Sequence, residues 1–350
     1  MKIAFIITSL DNKGPIIMLQ SLVRNLVAAG THCDVYYFDE LNNQNFDCKV
    51  QRIGFLESID FGAYDFVHSH LFRPDLYCAF HYRKIHASGA KLISSIHTAI
   101  YDDLSFTYGK MVSKLLVTLW RWAWKKMDHV VVLTDSARNY YQNTKFKDLS
   151  VINNGRDMPS ELKIPYEDRN KIQLFRKDHI LLGTVCSIDI RKGLEQVLKL
   201  LVLNRNYTFI VIGDGTERYY LERMAESLGV GSRFKILGYR SGGYRYIPNF
   251  DVYVLPSRSE GMPMALLEAM ALRVPIVCSR IPALAEEFSE EVCYYFELDQ
   301  PEDLAAACAK AVLDPRDKVN TAFNCYEKKY TGKTMAHNYL KLYESIMNMQ

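Results

Sequence analysis

The fold of this chain is decided at residues 251–272, which read Asp-Val-Tyr-Val-Leu-Pro-Ser-Arg-Ser-Glu-Gly-Met-Pro-Met-Ala-Leu-Leu-Glu-Ala-Met-Ala-Leu. Residues 252–255 are an apolar run of β-formers without alternation, as expected for a parallel strand buried on both faces. Gly261 allows a sharp turn, and Pro263 suits the first turn of a helix, where its missing N–H costs nothing. Residues 264–272 are nearly all strong helix formers. The stretch therefore predicts a strand, a loop and a helix, the repeating unit of an α/β sheet.

Two carboxylates lie in this unit, Glu260 in the loop and Glu268 on the helix. Open α/β sheets bind ligands at the carboxyl ends of their strands, and the N-terminus of the following helix attracts phosphate. A carboxylate accepts hydrogen bonds only, so it suits the hydroxyl groups of a sugar or a ribose. One interpretation gives Glu260 a sugar and Glu268 a ribose, with a diphosphate between them. The alternative is that Glu268 is merely an acidic residue near the start of a helix, where such residues are favoured, and that Glu260 is solvated.

Residues 257–271 resemble the Glu-x7-Glu signature of retaining glycosyltransferase family 4. The resemblance implies an α/β protein with two Rossmann-like, doubly wound domains that face each other across a cleft, the GT-B architecture. In that family the first Glu contacts the donor sugar and the second contacts the nucleotide ribose, and these positions are Glu260 and Glu268 here. The intervening Gly261, Met262 and Pro263 are then expected beside the donor.

Length and composition limit the class of protein. The 350 residues suggest two domains, and 49% hydrophobic with 24% charged residues is typical of a globular protein. The net charge of +3 is too small to indicate a nucleic-acid partner. The eight cysteines form no Cys-x-x-Cys pair, so they predict buried thiols in a reducing compartment and not a disulfide framework.

The sequence predicts neither a metal site nor a membrane segment. It contains no Asp-x-Asp and no His/Cys cluster with ligand spacing, so we expect metal-independent chemistry. Only residues 3–7 are apolar before Thr8, which is too short for a signal peptide, and no run has the length of a membrane span. We therefore expect a cytoplasmic protein.

The resemblance also indicates residues for the donor diphosphate. After a strand predicted at residues 179–185, the family has Gly-Arg-Leu-x-x-x-Lys-Gly, whose Arg and Lys neutralise the diphosphate. Here Lys192 and Gly193 match, Ser187 stands in place of the Arg, and Arg191 is the adjacent basic residue. The departure at Ser187 leaves Lys192 as the main cation expected at the phosphates.

Two further positions are expected beside the donor. Gly213 belongs to a Gly-Asp-Gly turn after a strand predicted at residues 209–212, and the family keeps this turn near the donor. Tyr239 follows a strand predicted at residues 234–237, where family members hold the base with backbone groups and a flat contact. Each residue also has a plainer interpretation, turn chemistry for Gly213 and a loop aromatic for Tyr239.

The chain opens with a βαβ pattern, a strand at residues 3–7, a helix at residues 17–28 and a strand at residues 35–38. In the resembled family the first loop carries Gly-Gly and approaches both diphosphate and acceptor. Here Gly14 still permits close approach of the backbone, whereas Pro15 removes an N–H that phosphate would bind.

Histidines end two predicted strands, residues 66–70 and 91–96. His97 follows the second strand, at the edge where ligands bind, and the resemblance has a His at this place close to the donor sugar and the acceptor. His70 is a second candidate. A lone histidine such as His68 is more often structural than catalytic.

Residues 106–127 predict a helix with a basic stripe. At 100° per residue, four cations fall within about 60° of arc: Lys110, Lys114, Arg121 and Lys125. The helix also carries Trp120, Trp122 and Trp124, and tryptophan is enriched at membrane–water interfaces. One interpretation is a core-packed helix with a solvated basic face. The other is a surface that meets anionic lipid at the inner face of a membrane.

These observations predict an N-terminal acceptor-side domain at residues 1–160, a donor domain at 161–332 and a C-terminal helix at 333–350 that crosses back to the first domain. We expect a retaining hexosyltransferase that moves a hexose or N-acetylhexosamine from a nucleotide-diphosphate sugar, a UDP-sugar, to a saccharide or lipid-linked acceptor in surface polysaccharide or glycolipid synthesis. The donor is a substrate, and no cofactor is expected. His97, Lys192 and Glu260 are the expected catalytic residues.

Two alternatives remain open at this point. Ser187 and the altered Gly14-Pro15 loop motivate a non-catalytic partner subunit that binds nucleotide sugars. A sugar-nucleotide epimerase of the same architecture is the second alternative.

Overall fold

The computed structural model describes residues 1–42, 44–313 and 316–348, with the side chains at 41, 42, 102 and 107 left outside the description. The described chain divides into two compact units. The first comprises residues 1–157 and the residues from 329 onward, and the second comprises residues 158–328.

The described part of the first unit contains a seven-stranded, all-parallel sheet. Its strands are β1 Lys2–Leu10, β2 His32–Asn42, β3 Lys49–Arg52, β4 Phe66–His70, β5 Lys91–Ile96, β6 His129–Val132 and β7 Leu149–Val151. They lie in the order β3-β2-β1-β4-β5-β6-β7. The order reverses between β1 and β4, so the carboxyl ends of these two strands flank the point where open α/β sheets bind ligands.

Helices cover both faces of this sheet, as parallel strands require. They are α1 Gly14–Ala28, α2 Phe72–Phe80, α3 Tyr82–Ala87, α4 Ile100–Trp124 and α5 Asp135–Tyr140, with a C-terminal helix at Gly332–Asn348. The C-terminal helix packs against α1 and buries Met335, Tyr339 and Tyr343. The Asp157 carboxylate accepts a hydrogen bond from the Gly332 N–H at 2.9 Å, which fastens the start of this helix.

The described part of the second unit contains a six-stranded, all-parallel sheet. Its strands are β8 Ile180–Val185, β9 Tyr207–Ile212, β10 Phe234–Gly238, β11 Val252–Leu255, β12 Ile276–Ser279 and β13 Tyr294–Phe296. The helices are α6 Tyr166–Arg176, α7 Glu195–Leu203, α8 Arg218–Ser227, α9 Met264–Ala271, α10 Pro282–Ala285, α11 Pro301–Leu313 and α12 Arg316–Lys329. The order β10-β9-β8-β11-β12-β13 reverses between β8 and β11, which makes the loops after these two strands neighbours.

The predicted fold class, α/β with two Rossmann-like doubly wound domains, is confirmed by these two sheets. Three helix boundaries differ from prediction. The first helix begins at Gly14 and not at residue 17, and α9 begins after Pro263, which is its N-cap and not its first turn. The helix predicted at residues 106–127 begins at Ile100 and is interrupted at Gly109, whose φ of 77° is a left-handed conformation that favours glycine.

Candidate active site

The loops after β8 and β11 bring Lys192 and Glu260 together. The Lys192 ammonium lies 2.6 Å from Glu260 Oε1, and the two side chains are only 14% and 9% exposed. The Ser257 hydroxyl donates a second hydrogen bond to the same carboxylate oxygen at 2.6 Å. The expected phosphate cation and the expected sugar carboxylate therefore form one charged pair beside the reversal of strand order.

The protonation of Lys192 depends on this pair. Burial acts to lower the pKa of the Lys192 ammonium, but the Glu260 carboxylate outweighs that effect and the pKa is raised. Lys192 is therefore a cation at neutral pH. A largely buried cation at the carboxyl edge of a parallel sheet is suited to an anionic ligand, because few water molecules compete for it.

Backbone contacts fix the distance between the two loops. Gly193 has φ 59°, and a Cβ at this position would lie 2.3 Å from the Pro256 carbonyl oxygen, so a side chain is excluded. The buried Gln196 amide donates to the same Pro256 carbonyl at 2.9 Å and accepts from the Asp299 N–H at 2.8 Å. Sequence reasoning missed Ser257 and Gln196. Ser257 lies within the Glu-x7-Glu stretch, whereas nothing in the sequence around Gln196 signals its partners.

The side chains of Ser187 and Arg191 both contact the Asp189 carboxylate. The Ser187 hydroxyl donates to Asp189 at 3.0 Å, and the Arg191 guanidinium forms an ion pair with the same carboxylate at 3.1 Å. The Asp189 carboxylate also accepts the Arg191 N–H at 3.0 Å, which caps the short helical turn Ile190–Lys192. Part of the positive charge of Arg191 is thus balanced by Asp189, as that of Lys192 is by Glu260. The expectation that Lys192 is the main cation at a diphosphate stays a prediction.

Gly213 supports the loop after β8. A Cβ on Gly213 would lie 1.8 Å from the Cys186 carbonyl oxygen, and one on Gly215 would lie 2.2 Å from the Ile188 carbonyl oxygen. The Ile188 N–H in turn donates to the Asp214 carbonyl at 2.9 Å. Two glycines are therefore needed for close contact between the backbones of two loops. The expected place of Gly213 beside the donor stays a prediction.

The loop with Tyr239 is held from α6. The Tyr239 side chain is 51% exposed, whereas Arg240 makes two hydrogen bonds to Asp168, at 2.7 and 3.1 Å. The Tyr246 hydroxyl donates to the same carboxylate at 2.5 Å. Hydrogen bonding from Arg240 lowers the pKa of Asp168 below its ordinary value. Sequence reasoning missed Asp168, because it lies 72 residues from Arg240 and carries no local signal.

Helix α9 carries the second expected carboxylate. Glu268 is only 5% exposed, and Met262 and Pro263 before the helix are buried as well. A solvated Glu260, the alternative offered by the sequence, is therefore excluded, because the Glu260 side chain is only 9% exposed. Glu268 is buried as well, and its expected ribose contact stays a prediction. No side chain of the described residues caps the N-terminus of α9, so its first backbone N–H groups keep their hydrogen-bonding capacity.

Three histidines cluster in the first unit, at the carboxyl ends of β4 and β5. His70 Nδ1 lies 2.9 Å from His97 Nε2. His68 is bound through both ring nitrogens, to the Tyr343 hydroxyl at 2.8 Å and the Ser95 hydroxyl at 2.9 Å. Burial lowers the pKa of His97 to about 4, so its imidazole is neutral at pH 7. In this cluster His97 retains 6% exposure, whereas His68 and His70 are fully buried.

Gly14 is the first residue of α1, directly after the short loop that follows β1. Its neighbour Lys13 is exposed and pairs with Asp11 at 3.0 Å. No side chain of the described residues caps α1, and Pro15 occupies its first turn. The position of Gly14 at the reversal between β1 and β4 is compatible with its expected role, which stays a prediction.

Helix α4 differs from the expectation of three interfacial tryptophans. Trp120 and Trp124 are buried, and their indole N–H groups donate to the Asp75 carboxylate at 2.6 and 2.9 Å. Asp75 also accepts from Ser69 and Ser94, and burial raises its pKa to about 6. The expectation is therefore wrong for two of the three tryptophans, because their indole N–H groups donate hydrogen bonds to a buried carboxylate and not to a membrane interface. Trp122 is 46% exposed.

The solvent face of α4 is both basic and apolar. The four cations Lys110, Lys114, Arg121 and Lys125 are exposed. The large apolar side chains exposed beside them are Phe106, Tyr108, Met111, Val112, Leu115, Leu119 and Trp122. At 100° per residue, Met111, Trp122, Leu115 and Leu119 occupy about 80° of arc directly next to the basic stripe.

Residues 1–42, 44–313 and 316–348 contain no group of three or more His, Cys, Asp or Glu side chains that is arranged to hold a metal ion. In the same ranges, every helix is too short or too polar to cross a membrane.

Two segments of the chain match family models, and the chain is similar to known proteins over its whole length. Residues 166–330 match the family model "Glycosyl transferases group 1", and residues 51–158 match "Glycosyltransferase Family 4". The chain is 26% identical over 352 aligned residues to the O-antigen biosynthesis glycosyltransferase WclY of Escherichia coli, with 99% of both chains covered. It is 24% identical over 260 residues to the N,N'-diacetylbacillosaminyl-diphospho-undecaprenol alpha-1,3-N-acetylgalactosaminyltransferase of Campylobacter jejuni, covering 71% of this chain and 68% of that protein.

Among solved structures, Anabaena HepE in complex with UDP superposes with a TM-score of 0.80 at 17% identity, covering 99% of this chain and 100% of that one. This likeness concerns the fold. The chain therefore has the GT-B fold, and in its two family-model matches and over its full length it is similar to glycosyltransferases.

Proposed function

We propose that the protein is a retaining glycosyltransferase that uses a UDP-sugar donor and extends a saccharide or lipid-linked saccharide in O-antigen or related surface polysaccharide synthesis. The observation that carries this proposal is the largely buried Lys192–Glu260 pair at the reversal of strand order in the second unit. The complex of HepE with UDP supports the choice of base, and the diphospho-undecaprenol in the name of the Campylobacter jejuni relative supports a lipid-linked acceptor.

The proposed reaction breaks the bond between the anomeric carbon and the leaving phosphate oxygen on the same face where the acceptor oxygen bonds. The leaving phosphate takes the proton of the acceptor hydroxyl. Its growing negative charge is met by the Lys192 ammonium and by the backbone N–H groups that begin α9. In this proposal Glu260 positions the sugar, Glu268 holds the ribose, and Tyr239 lies against the base.

His97 enters the proposal as a neutral hydrogen-bonding group. Because burial lowers the pKa of His97 to about 4, a charged imidazolium is disfavoured at neutral pH. A neutral ring still carries one N–H, which can donate to an oxygen of the sugar without adding a charge to the site. Metal independence is part of the same proposal, since a lysine and helix N–H groups already supply positive potential for a diphosphate.

Substitution of Glu260 tests the proposed function. The purified protein is first screened for thermal protection by nucleotide sugars, because a bound ligand raises apparent stability. Transfer to an undecaprenyl-diphosphate-linked saccharide is then measured with and without a chelator, and NMR determines the anomeric configuration of the product. Glu260→Ala is expected to abolish transfer and to leave UDP affinity nearly intact.

Each contrary result has a defined meaning. An inverted anomer contradicts retention, and loss of activity with the chelator contradicts metal independence. Binding without transfer to any acceptor favours a partner subunit, and an epimerised nucleotide sugar favours an epimerase. A Glu260→Ala protein that loses UDP binding but still transfers sugar would reverse the roles of Glu260 and Glu268.

We also propose that α4 docks the protein on an anionic membrane surface. Lys110, Lys114 and Lys125 form no ion pair with an acidic side chain of the described residues. Each basic residue near an anionic leaflet contributes about 1 kcal/mol, and the adjacent apolar stripe adds area that inserts among the headgroups. A lipid surface is the partner that accepts both a cationic and an apolar stripe on one helix.

Co-sedimentation with vesicles tests the docking. Anionic vesicles are expected to bind the protein and neutral ones to leave it in solution, with binding weakened by salt. Reversal of Lys110, Lys114 and Lys125 to Glu is expected to abolish binding, and Leu115→Ser with Leu119→Ser to weaken it. The matched control reverses the exposed Lys199, Lys310 and Lys328. If the α4 variants still bind anionic vesicles, or if the control variant loses vesicle binding equally, the basic stripe of α4 is only a solvated helix face.

A further inference from the structure

His70 and His97 form a buried contact whose geometry restricts the position of their protons. His70 Nδ1 and His97 Nε2 lie 2.9 Å apart, with the rings inclined at 35°. At this distance one nitrogen carries a proton and the other accepts it, because two lone pairs or two N–H groups would repel. Burial lowers the pKa of both histidines, so each ring is neutral and carries one proton.

The surroundings of His70 decide which ring donates. His70 Nε2 is buried and has no hydrogen-bond partner in the described part of the chain. If that nitrogen carried the proton, an N–H group would be buried without an acceptor, which is rarer in proteins than an unpaired acceptor. The proton of His70 therefore belongs on Nδ1, where it is donated to His97 Nε2. His97 must then carry its own proton on Nδ1.

The orientation of His70 is fixed by the rings around it. The His68 ring stacks on it with centroids 4.4 Å apart, and the Phe5 ring lies 6.0 Å away. His68 is itself held by Ser95 and Tyr343. His70 is fully buried, so a ligand meets His97 and not His70. No described residue forms a hydrogen bond with His97 Nδ1, which leaves that N–H for a ligand.

We propose that His70 is a positioning residue that holds His97 in the Nδ1–H tautomer, so that His97 offers a hydrogen-bond donor to an oxygen of the bound sugar substrate. The identity of the ligand rests on the proposed function. The tautomer follows from the contacts and the burial of the two rings and does not depend on the ligand.

The tautomer is measured by NMR on the protein with 15N-labelled histidine. Long-range 1H–15N correlations distinguish a protonated from an unprotonated ring nitrogen, and the signals of His97 are identified by their loss in His97→Gln. The wild type is expected to show a proton on Nδ1 of His97. His70→Phe keeps a stacked ring without a donor and is expected to populate the Nε2–H form of His97. His70→Asn places an amide N–H near the position of Nδ1 and is expected to restore the wild-type tautomer.

Turnover provides the second readout. His70→Phe is expected to lower kcat by about tenfold or more, the usual worth of one hydrogen bond, with UDP affinity unchanged and activity restored in His70→Asn. An Nε2–H tautomer of His97 in the wild type, or full activity of His70→Phe, would overturn the proposal.

If His70→Phe does not fold, the activity of His70→Asn is compared with that of His70→Gln, whose amide reaches toward the position of Nε2. Equal activity of these two variants would overturn the proposal. If the wild type transfers no sugar, the proposed function fails, whereas the NMR measurement still determines the tautomer of His97.

Discussion

The Lys192 ammonium and the Glu260 carboxylate lie 2.6 Å apart although 68 residues separate them in the chain. The pair joins the loop after β8 to the loop after β11, and Ser257 donates to the same carboxylate. The cation proposed for the diphosphate and the carboxylate proposed for the sugar are thus one ion pair. Under the proposed function, a donor whose sugar engages Glu260 would release part of the Lys192 charge for its diphosphate.

The two members of this pair are expected to depend on each other for stability. Lys192→Met and Glu260→Gln each leave a partly buried group without its partner, whereas the double variant removes both charges. We expect a coupling free energy of about 0.5–3 kcal/mol, measured by urea unfolding of the three variants and the wild type. Strict additivity would show that the two side chains do not stabilise each other in solution.

Glu268→Ala is expected to weaken the binding of UDP and of the UDP-sugar equally. Loss of a hydrogen bond between a carboxylate and the ribose costs about 1.5–3 kcal/mol of binding free energy, which calorimetry measures directly. Glu302→Ala is the matched control, because Glu302 is an exposed acidic residue at the start of α11. Unchanged UDP affinity in Glu268→Ala would refute the ribose contact.

Lys192→Ala is expected to lower turnover more than Arg191→Ala. The Arg191 guanidinium is paired with Asp189, whereas Lys192 lies beside Glu260 and keeps a raised pKa. The comparison uses kcat and kcat/KM of both variants at saturating acceptor. If both effects are small and equal, backbone N–H groups hold the diphosphate without a side-chain cation.

Asp168→Asn is expected to weaken UDP binding from a distance. Its carboxylate holds Arg240 and Tyr246 and so fixes the loop that carries Tyr239. Loss of a hydrogen bond to a charged group costs roughly 1.5–3 kcal/mol, part of which will appear as lower stability. Calorimetry with UDP and with inorganic diphosphate separates the effects. Only UDP affinity is expected to fall, and an equal loss for both ligands would contradict a role at the base.

The protein is expected to lose stability as the pH falls through the range in which unfolded histidine binds protons. Burial lowers the pKa of His97 from 6.5 to about 4, so between these values the unfolded chain binds more protons and unfolding is favoured as pH falls. For His97 alone the loss between pH 7.5 and pH 5 is about 2 kcal/mol. The raised pKa of Asp75 acts in the opposite direction between pH 4 and 6.

The effect of His97 is separated from that of Asp75 by comparing the pH dependence of the unfolding free energy in the wild type and in His97→Gln. Urea unfolding at pH 7.5 and pH 5 should show a smaller loss of stability in the variant. An identical loss in both proteins would mean that His97 titrates normally in the folded state.

The central strands could be predicted from the sequence because a parallel strand buried on both faces is a continuous apolar run. The predicted ranges of β4, β5 and β11 coincide with the observed ones. Strands β3, β7 and β13, for which no range was predicted, lie at the edges of their sheets. An edge strand buries less surface, and β3 is Lys-Val-Gln-Arg, so its sequence shows no apolar run.

The sequence by itself determined which residue types stand at the ends of the strands: Lys192 after β8, Glu260 after β11 and His97 after β5. It determined this because strand ends and helix starts have local signals in residue type and spacing. Only the tertiary structure decided the partners, Lys192 with Glu260, His70 with His97, and Trp120 and Trp124 with Asp75. Each partner comes from a different element, and the contact depends on strand order, register and packing, which no local pattern encodes.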